Sequence, residues 1–335
     1  MAVVRRNVVT NLAARAAYIR GVKLLKQENT SATTTSFTFP IPGPVNPINT
    51  YDLFVIWHFM AMNSPVPPGT DPLFGRNAAH SGPVFLPWHR LMLSGLEVQL
   101  QRVLNDPNFG LPYWDWAVDA SLVGGPQSSL IWQNQPDTMG GQGTPISTGP
   151  LVFNNTDPTS FRVLIESSSD GRSFHQTKRG LNRTFGQPPP LGSSTLPTAT
   201  EVLAAFNTLP EPLGEPHLAT YDFAPFDRSS NGFRNRLEGW PGGVLHNRVH
   251  QWVGGDMGPA TSPNDPVFFL HHCNVDRIWE RWMQLNGRNY LPDMTAPPTL
   301  LGHRIDDALI SPFGLAGTPR SQLDTTTQYT YDVIP

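Results

Sequence analysis

Four segments of the chain repeat apolar residues in a way that predicts helices. In residues 8–27 the apolar positions recur every three to five residues among basic ones, at Val8, Leu12, Ala16, Ile19 and Leu24. This spacing places the apolar side chains on one face, which predicts a scaffold helix that packs on that face. Residues 51–62 are apolar almost throughout and include His58, which predicts a buried helix.

The other two segments carry signals that start a helix. Residues 83–104 space their leucines for burial, and Pro87 falls near the start, where proline is tolerated because the first N–H groups of a helix lack partners. Residues 267–285 follow Asp265-Pro266, which predicts an N-cap at Asp265 and a proline at the first helical position. Together the segments predict two helix pairs around a shared core.

The segments between these helices are rich in turn-forming residues. Residues 29–50 are dominated by Thr, Ser, Pro and Asn, which predicts a loop. Residues 64–82 are interrupted by several prolines, so His80 is expected on a loop.

The longest of these segments, residues 117–235, is rich in Gly, Ser, Thr and Pro. One clear helix interrupts it, because Thr198-Ala199-Thr200-Glu201 forms a capping box ahead of an apolar run. We therefore expect a mainly α fold with a four-helix bundle core, extensive Pro/Gly-rich loops and few short strands. Residues 1–335 are predicted to form one domain, with 117–235 as a loop-rich insertion.

Composition and charge exclude several classes of partner. Hydrophobic residues make up 39% of the chain, with 9 Trp and 18 Phe, which is ample for a core. Charged residues make up only 15%, against about a quarter in typical domains. A net charge of −3 gives no basic field for nucleic acid or an anionic membrane, and no apolar run is long enough to span a bilayer. We expect a soluble protein that acts on a small, neutral substrate.

The N-terminal residues and the single cysteine say little about location. Arg5-Arg6 is followed by no apolar stretch, so the sequence predicts no signal peptide in this chain. Cys273 has no second cysteine with which to form an intramolecular disulfide, which leaves the redox compartment open. The expectation is a cytoplasmic protein, or one exported with the help of a partner.

Six of the ten histidines fall into two sets of three, one early and one late in the chain: His58, His80 and His89, then His246, His250 and His272. The i, i+4 spacing of His246 and His250 points both imidazoles from one helical face. Three imidazoles per metal without carboxylate or thiolate favour copper over zinc, iron or nickel. A zinc protease would need Glu in place of Asn247, and a di-iron bundle would show glutamate ligands.

The residues around these histidines carry a resemblance to a known family. They are His80-Ser-Gly-Pro-Val-Phe-Leu-Pro-Trp-His89-Arg90, Leu111-Pro-Tyr-Trp-Asp-Trp116, His246-Asn-Arg-Val-His250 and Ser262-Pro-Asn-Asp-Pro-Val-Phe-Phe-Leu-His-His272. These segments resemble the copper-binding motifs of tyrosinases, catechol oxidases and molluscan-type hemocyanins, the type 3 copper proteins. The resemblance implies that His58, His80 and His89 bind copper A, that His246, His250 and His272 bind copper B, and that O2 is the co-substrate.

The remaining histidines are assigned from the same pattern. The family places an aspartate four residues after the third copper B ligand, and Asp276 holds that position relative to His272. His271 points about 100° away on the helix and is expected to have a structural role beside the site. Outside the motifs, ordinary surface or loop positions are expected for His175, His217 and His303.

The resemblance also implies an activity. Members of the family hydroxylate phenols ortho to the hydroxyl and oxidise the resulting catechols to o-quinones. A phenol has a pKa of about 10, so hydroxylation at neutral pH needs a group that removes its proton. Glu238 and Asn247 match the tyrosinase pair that holds a water thought to act as this base. The alternative is a surface carboxylate and an amide on a helix face.

Four residues are expected to line the substrate pocket. Plant catechol oxidases often place a Phe over copper A from the loop before the third copper B ligand, but the equivalent loop, which includes Pro259 and Ala260, has no aromatic residue. Phenols should therefore have room. Gln251 stands where relatives carry residues that tune substrate choice, and Phe268 is expected to pack against the copper B histidines.

Two further positions separate this chain from many relatives. Ala78 stands where many plant and fungal members carry a cysteine in a thioether link, so no such bond can form, and Cys273 is expected to be buried packing. In this respect the chain resembles bacterial-type tyrosinases. Tyr329-Thr330-Tyr331 is similar to the Tyr-x-Tyr motif that closes the catalytic domain in many relatives.

Three functional classes stay open at this point. The first is a tyrosinase with both monophenol and diphenol activity, and the second is a catechol or o-aminophenol oxidase with little hydroxylase activity. The third is a hemocyanin-like O2 carrier. Small phenols are the expected partners of either enzyme, and a protein that delivers copper is an open possibility.

Overall fold

The structure is a computed structural model that describes residues 2–33, 47–206, 216–240, 245–311 and 315–335. Its α-helices are α1 (Leu12–Gln27), α2 (Thr50–Met62), α3 (Phe85–Leu104), α4 (Trp116–Asp119), α5 (Ala199–Ala204), α6 (Phe233–Glu238), α7 (His246–Val253) and α8 (Val267–Asn286). Its strands form three pairs: β1 (Val3–Arg5) parallel to β6 (Tyr329–Tyr331), β2 (Asn29–Thr33) antiparallel to β3 (Pro47–Asn49), and β4 (Val163–Ser167) antiparallel to β5 (Phe174–Arg179). The predicted mainly α class with few short strands is confirmed.

Local capping explains where the helices begin. Helix α1 starts at Leu12, four residues later than predicted, because the Asn11 side chain accepts the N–H of Ala14 and Val8 instead bonds the carbonyl of Tyr113. Helix α8 starts one residue later than expected, with Pro266 at the cap position. The predicted loop over 29–50 is wrong at both ends, where β2 and β3 pair, and residues 34–46 lie outside the described part of the chain.

The helices pack around α3, which lies against both α1 and α8, while α7 packs on α8 and α2 on α1. Helix α2 is buried along nearly its whole length, as its unbroken apolar sequence predicts. The predicted helical bundle is therefore confirmed. The prediction of one domain over residues 1–335 stays a prediction, which the continuous hydrophobic core from Val3 to Tyr331 supports.

A buried cluster of charges joins both ends of the described chain to the bundle. Asp276 on α8 accepts hydrogen bonds from Arg5, Arg90, Tyr329 and Tyr331, and none of these five side chains is more than 9% exposed. Buried charges of this kind are stable only when paired and hydrogen-bonded. The Tyr-x-Tyr segment thus fixes strand β6 on the helix that carries His272.

Residues 117–235 contain more regular structure than the sequence predicts. The capping box is confirmed, since Thr198 accepts the N–H of Glu201 and Glu201 accepts the N–H of Thr198. The hairpin β4–β5 and helix α6 were not predicted, because each is short and its apolar residues contact distant parts of the chain. A buried ion pair between Arg183 and Asp265 joins this region to the start of α8. Among the described residues, no helix has the length and apolar character needed to cross a membrane.

Candidate metal centre

The first three motif histidines meet in the core. His58 lies on α2, His80 on the loop before α3, and His89 in the second turn of α3. Their ring centroids are 5.1 Å (His58–His80), 4.8 Å (His80–His89) and 5.7 Å (His58–His89) apart, and one nitrogen from each lies within 4.8 Å of the others. All three are buried, and His80 lies on a loop as predicted.

Backbone carbonyls orient two of these rings. Nδ1 of His58 lies 2.7 Å from the carbonyl oxygen of Ala260, and Nδ1 of His89 lies 2.7 Å from that of Phe85. Because a carbonyl oxygen can only accept a hydrogen bond, Nδ1 is the ring nitrogen that carries the hydrogen, and Nε2 carries the free lone pair. Both Nε2 atoms are buried and have no hydrogen-bond partner among the described residues. Such orphaned acceptors fit a metal ion.

The second group gathers His246 and His250 on α7 with His272 on α8. Nδ1 of His250 lies 2.7 Å from the carbonyl of Met257, and Nδ1 of His246 faces the carbonyl of Glu238 at 3.2 Å and the Asn247 amide oxygen at 3.0 Å. Their Nε2 atoms lie 3.4 and 3.2 Å from Nε2 of His272. One proton on His272 can serve only one of these lone pairs at a time, whereas a metal ion serves all three.

The distances and charge state suit a transition metal. Two imidazole nitrogens bound to one ion at about 2.0 Å in tetrahedral geometry lie about 3.3 Å apart, close to the separations around His272. Burial lowers the pKa of His58 to about 3 and that of His250 to about 4. Burial also holds the pKa values of the other four well below the ordinary value. At neutral pH all six imidazoles are therefore neutral and able to ligate.

The two groups face each other across a short gap. The rings of His89 and His272 stack at 4.1 Å with an angle of 9°, and Phe85 lies 4.9 Å from His89 and 4.7 Å from His246. Two ions held by these groups would therefore be close neighbours. The arrangement can hold two metal ions side by side.

Two other histidines lie beside the site. The His271 ring stacks on His246 at 5.1 Å, and neither of its nitrogens has a partner among the described residues. Its structural role stays a prediction. His303 lies in a turn, which agrees with the loop part of the expectation, but it is not on the surface: it is fully buried, with Nε2 3.1 Å from the carbonyl of Asn77. His175 is about half exposed, as expected, and the side chain of His217 lies outside the described residues.

The loop that carries His80 is held by hydrogen bonds at its neighbouring residue. Ser81 has φ 61°, a left-handed conformation that costs energy for a residue with a side chain. Its N–H donates to Oε1 of Glu238 at 2.6 Å, and its hydroxyl oxygen accepts from Nε of Arg228 at 2.9 Å. These bonds, together with packing of His303 against Gly82, fix a loop that has Ala78 where many relatives form a thioether.

Glu238 is part of a buried charge network. Its Oε2 accepts from Nη1 of Arg234 at 2.9 Å, and Arg234 also pairs with Asp222. Burial raises the pKa of Glu238 above its ordinary value, although Arg234 and the Ser81 N–H oppose that shift. Burial likewise raises the pKa of Asp222 to about 6. A carboxylate with a raised pKa is a stronger base than an exposed one.

A cavity of about 500 Å³ opens over both histidine groups. Of the residues predicted around the substrate, Asn247, Gln251 and Pro259 line it. Glu238, Ala260 and Phe268 lie behind its wall instead. The Ala260 carbonyl holds His58, and the Phe268 ring is fully buried 4.2 Å from the His272 ring.

The cavity wall also contains residues that the sequence did not single out: Met62, Leu73, Ser81, Leu191, Arg228 and Trp240. Most of them stand on loops without a periodic pattern. Two of them had a signal, since Ser81 lies within the first copper motif and Trp240 lies two residues after Glu238.

Comparison with known proteins shows to which family this chain belongs. A family model described as the common central domain of tyrosinase matches residues 48–285. The chain belongs to the tyrosinase family. A tyrosinase from Streptomyces antibioticus is 39% identical over 290 residues, which cover 84% of this chain and 89% of that protein. The predicted family is thus confirmed.

One further relative and one solved structure are also similar to this chain. Grixazone synthase from Streptomyces griseus is 35% identical over 307 residues, which cover 84% of this chain and 90% of that protein. A polyphenol oxidase variant from Thermothelomyces thermophila shares the fold, with a TM-score of 0.66 and 20% identity over 98% of this chain and 88% of that one. The protein is therefore a phenol-oxidising enzyme of the tyrosinase family, whose cofactor is a copper pair, as predicted.

Proposed function

We propose that this enzyme is a tyrosinase, which hydroxylates monophenols at the ortho position and oxidises o-diphenols to o-quinones. In this proposal copper A is held by His58, His80 and His89, and copper B by His246, His250 and His272. The observation that carries it is the meeting of two groups of neutral, buried or partly buried imidazoles whose free nitrogens converge beneath an open cavity. The copper pair supplies the binding and activation of O2 and accepts electrons from the phenol.

In this proposal, groups of the protein remove the proton of the phenol hydroxyl. Glu238 and Asn247 approach the same ring, since the Glu238 carbonyl and the Asn247 amide oxygen both face Nδ1 of His246. The carboxylate of Glu238 accepts hydrogen bonds from Ser81 and Arg234 and also has the Trp240 side chain beside it, and its two oxygens have room for one more donor. We assign to this pair a water that takes the phenolic proton, helped by the raised pKa of Glu238.

The cavity wall gives the substrate room to approach. Gln251 and Pro259 contribute to the wall directly, and the loop before α8 presents only small or aliphatic side chains there. Ala260 and Phe268 act from behind, through the orientation of His58 and the packing of His272. The aromatic ring of a phenol can therefore reach the histidines without displacing a side chain over copper A.

The second candidate is an oxidase of catechols or o-aminophenols without hydroxylase activity. Two observations favour it. The Glu238 carboxylate lies behind the cavity wall and is already bonded to Ser81 and Arg234, and one relative is a grixazone synthase. In this alternative Glu238 only holds the His80 loop, and no base acts on the phenol.

Oxygen uptake by copper-saturated protein separates these candidates. The substrates are p-cresol and 4-methylcatechol, which differ by one hydroxyl group and are both uncharged. We expect uptake with both, with a lag on p-cresol that a trace of 4-methylcatechol removes. Uptake with 4-methylcatechol alone would favour the second candidate, and no uptake with either would overturn both.

A further inference from the structure

We propose that Arg228 at the mouth of the cavity selects phenols whose side chain carries a carboxylate. The inference rests on the proposed oxidation of phenols at this site and adds the class of substrate. The charge of the whole chain suggests a neutral substrate, but the charges that line the cavity decide which phenol binds. Arg228 lies on the loop between Tyr221 and Gly232, which carries none of the copper motifs.

Contacts on two sides hold the Arg228 guanidinium in place. Its central carbon lies 3.8 Å from the centroid of the Trp240 ring, which fixes the plane of the group. Its Nε donates to the Ser81 hydroxyl at 2.9 Å, and its Nη2 donates to the carbonyl of Leu73 at 2.7 Å. The side chain is therefore ordered before a substrate arrives, so binding need not cost its rotational freedom.

The guanidinium retains donors for a ligand. It has five N–H groups, of which these two contacts use two. Nη1 has no acceptor among the described residues, so one edge of the planar group remains available. Because that edge matches the two oxygens of a carboxylate, arginine is suited to binding this group in a bidentate manner.

Arg228 is also the one formal charge among the side chains of the described residues that line the cavity. The four histidines that line the wall are the ones assigned to the metal ions. The carboxylate of Glu238 also attracts Arg228, but it lies behind the wall and is paired with Arg234. A substrate in the cavity therefore meets a positive charge that Glu238 offsets only in part.

The rest of the wall suits an aromatic ring between the two polar ends. Leu73, Leu191 and Pro259 give it apolar surface, and Arg228 bonds Ser81, the residue after His80. A phenol with a short acidic chain can thus place its hydroxyl at the histidines and its carboxylate at Arg228. A cationic chain at the same place would be repelled.

The test compares two catechols that differ only in charge, dihydrocaffeate and its amide. Their ratio of kcat/KM is measured for the wild type and for Arg228→Met, which removes the charge and keeps most of the length. We expect the preference for the acid to fall about ten- to hundred-fold in Arg228→Met, mainly through KM, as for loss of a hydrogen bond between charged groups. Arg228→Lys should recover part of it. An unchanged ratio in Arg228→Met would overturn the proposal.

Two matched variants separate charge from loop structure. Ser81→Ala removes the hydroxyl that Arg228 binds but leaves the guanidinium and its contacts with Trp240 and Leu73, so the rate can fall for both substrates while their ratio falls much less than in Arg228→Met. Arg20→Met removes one positive charge from the exposed surface of α1 and should leave both rates and the ratio unchanged. A ratio that falls equally in Ser81→Ala or Arg20→Met would contradict a specific role for Arg228.

A binding measurement keeps this proposal distinct from the proposed function. Phenylpropionate carries the carboxylate but no hydroxyl to oxidise, and its binding to copper-free protein can be followed by ligand-observed NMR. We expect binding to wild type and a loss of at least about ten-fold in affinity in Arg228→Met. If no phenol is oxidised and this difference persists, the function fails and the carboxylate site stands. If phenols are oxidised but phenylpropionate binds both proteins alike, the carboxylate site fails.

Discussion

The hydroxyl of Tyr329 donates a 2.6 Å hydrogen bond to Oδ2 of Asp276, which joins strand β6 to helix α8 one turn beyond His272. Arg5 and Arg90 bind the same carboxylate from β1 and α3. Burial alone would raise the pKa of Asp276, but the two arginines hold it below its ordinary value. The aspartate of the family motif thus organises the buried charges behind the metal centre.

Replacing Asp276 by Asn should strongly destabilise the fold. The change removes the anion that two buried guanidinium groups share and leaves Arg5 with Glu97 and Arg90 with Glu280, which costs up to about 3–5 kcal/mol of unfolding free energy. Asp306→Asn is the matched control, because Asp306 pairs with Arg320 on the surface and should cost less than about 1 kcal/mol. Urea unfolding measures both, and equal losses would contradict the role given to Asp276.

The same carboxylate predicts a pH dependence. The folded pKa of Asp276 lies below its unfolded value, so its contribution to stability is present above the unfolded pKa, about 4, and is lost as pH falls through the folded value. Wild type should therefore lose stability more steeply than Asp276→Asn below about pH 4. Parallel pH profiles of the two proteins would contradict this assignment.

Copper content tests the choice between two adjacent histidines. His272→Gln should bind at most one copper per chain, since Nε2 of His272 lies within 3.4 Å of Nε2 of both His246 and His250. His271→Gln should keep two, and His175→Gln, on the exposed surface, provides a control. Metal analysis after gel filtration gives the stoichiometry. Two coppers in His272→Gln with fewer in His271→Gln would reverse the assignment.

Glu238→Gln tests the proposed base. Glutamine can still accept the N–H of Ser81, so the His80 loop should stay in place. Its neutral amide, however, is not basic enough to help a water beside Asn247 take the phenolic proton. Monophenol activity should fall about a hundred-fold more than diphenol activity. Glu28→Gln, in an exposed pair with Arg102, is the control. Equal loss of both activities at full copper content would instead support a purely structural role.

The packing of His303 against Gly82 predicts an energetic coupling. A Cβ added at Gly82 would lie 2.7 Å from Cε1 of His303, so Gly82→Ala should cost about 1–3 kcal/mol of unfolding free energy. In a His303→Ala background the same change should cost at least about 1 kcal/mol less. Gly258→Ala, whose new Cβ would meet only an ordinary 3.4 Å contact, should be nearly neutral. Additive costs at Gly82 and His303 would rule out this contact.

Cys273 should be unreactive in the folded protein. Burial raises the pKa of its thiol to about 12, and its Sγ lies 3.3 Å from the carbonyl of Leu111 with no exposed surface. A chromogenic thiol reagent at pH 8 should therefore find no thiol until denaturant is added, and then one per chain. Rapid labelling of the native protein would show that this part of α8 opens readily.

The metal centre could be predicted from the sequence because its ligands lie in short, continuous motifs. His246 and His250 share one helical turn, and the helices that carry His58, His89 and His272 have strong apolar patterns, so the sequence alone predicts both the elements and their polar positions. The predictions of a helical core and of a copper site both rested on these segments.

The rest of the site could not be predicted because it depends on contacts between distant loops. Arg228 reaches the cavity only because Ser81 and Trp240 lie beside it, and neither contact leaves a periodic signal. The burial of His303 was not predicted for the same reason. The contact of the Glu238 carboxylate with Ser81 was not predicted either, because it joins two segments that are far apart in the chain.

The stacking of His89 on His272 at 4.1 Å links the loading of the two metals. Each ring is assigned to a different ion. Because the two rings are stacked, an ion that fixes one ring also restricts the other. The entropy of ordering both rings is therefore lost when the first ion binds and is not lost again when the second one binds. The second ion then binds a site that is already arranged, which favours positive cooperativity and opposes the repulsion between the two like charges. In protein given too little copper, the share of molecules that hold a single ion measures the balance between these two effects.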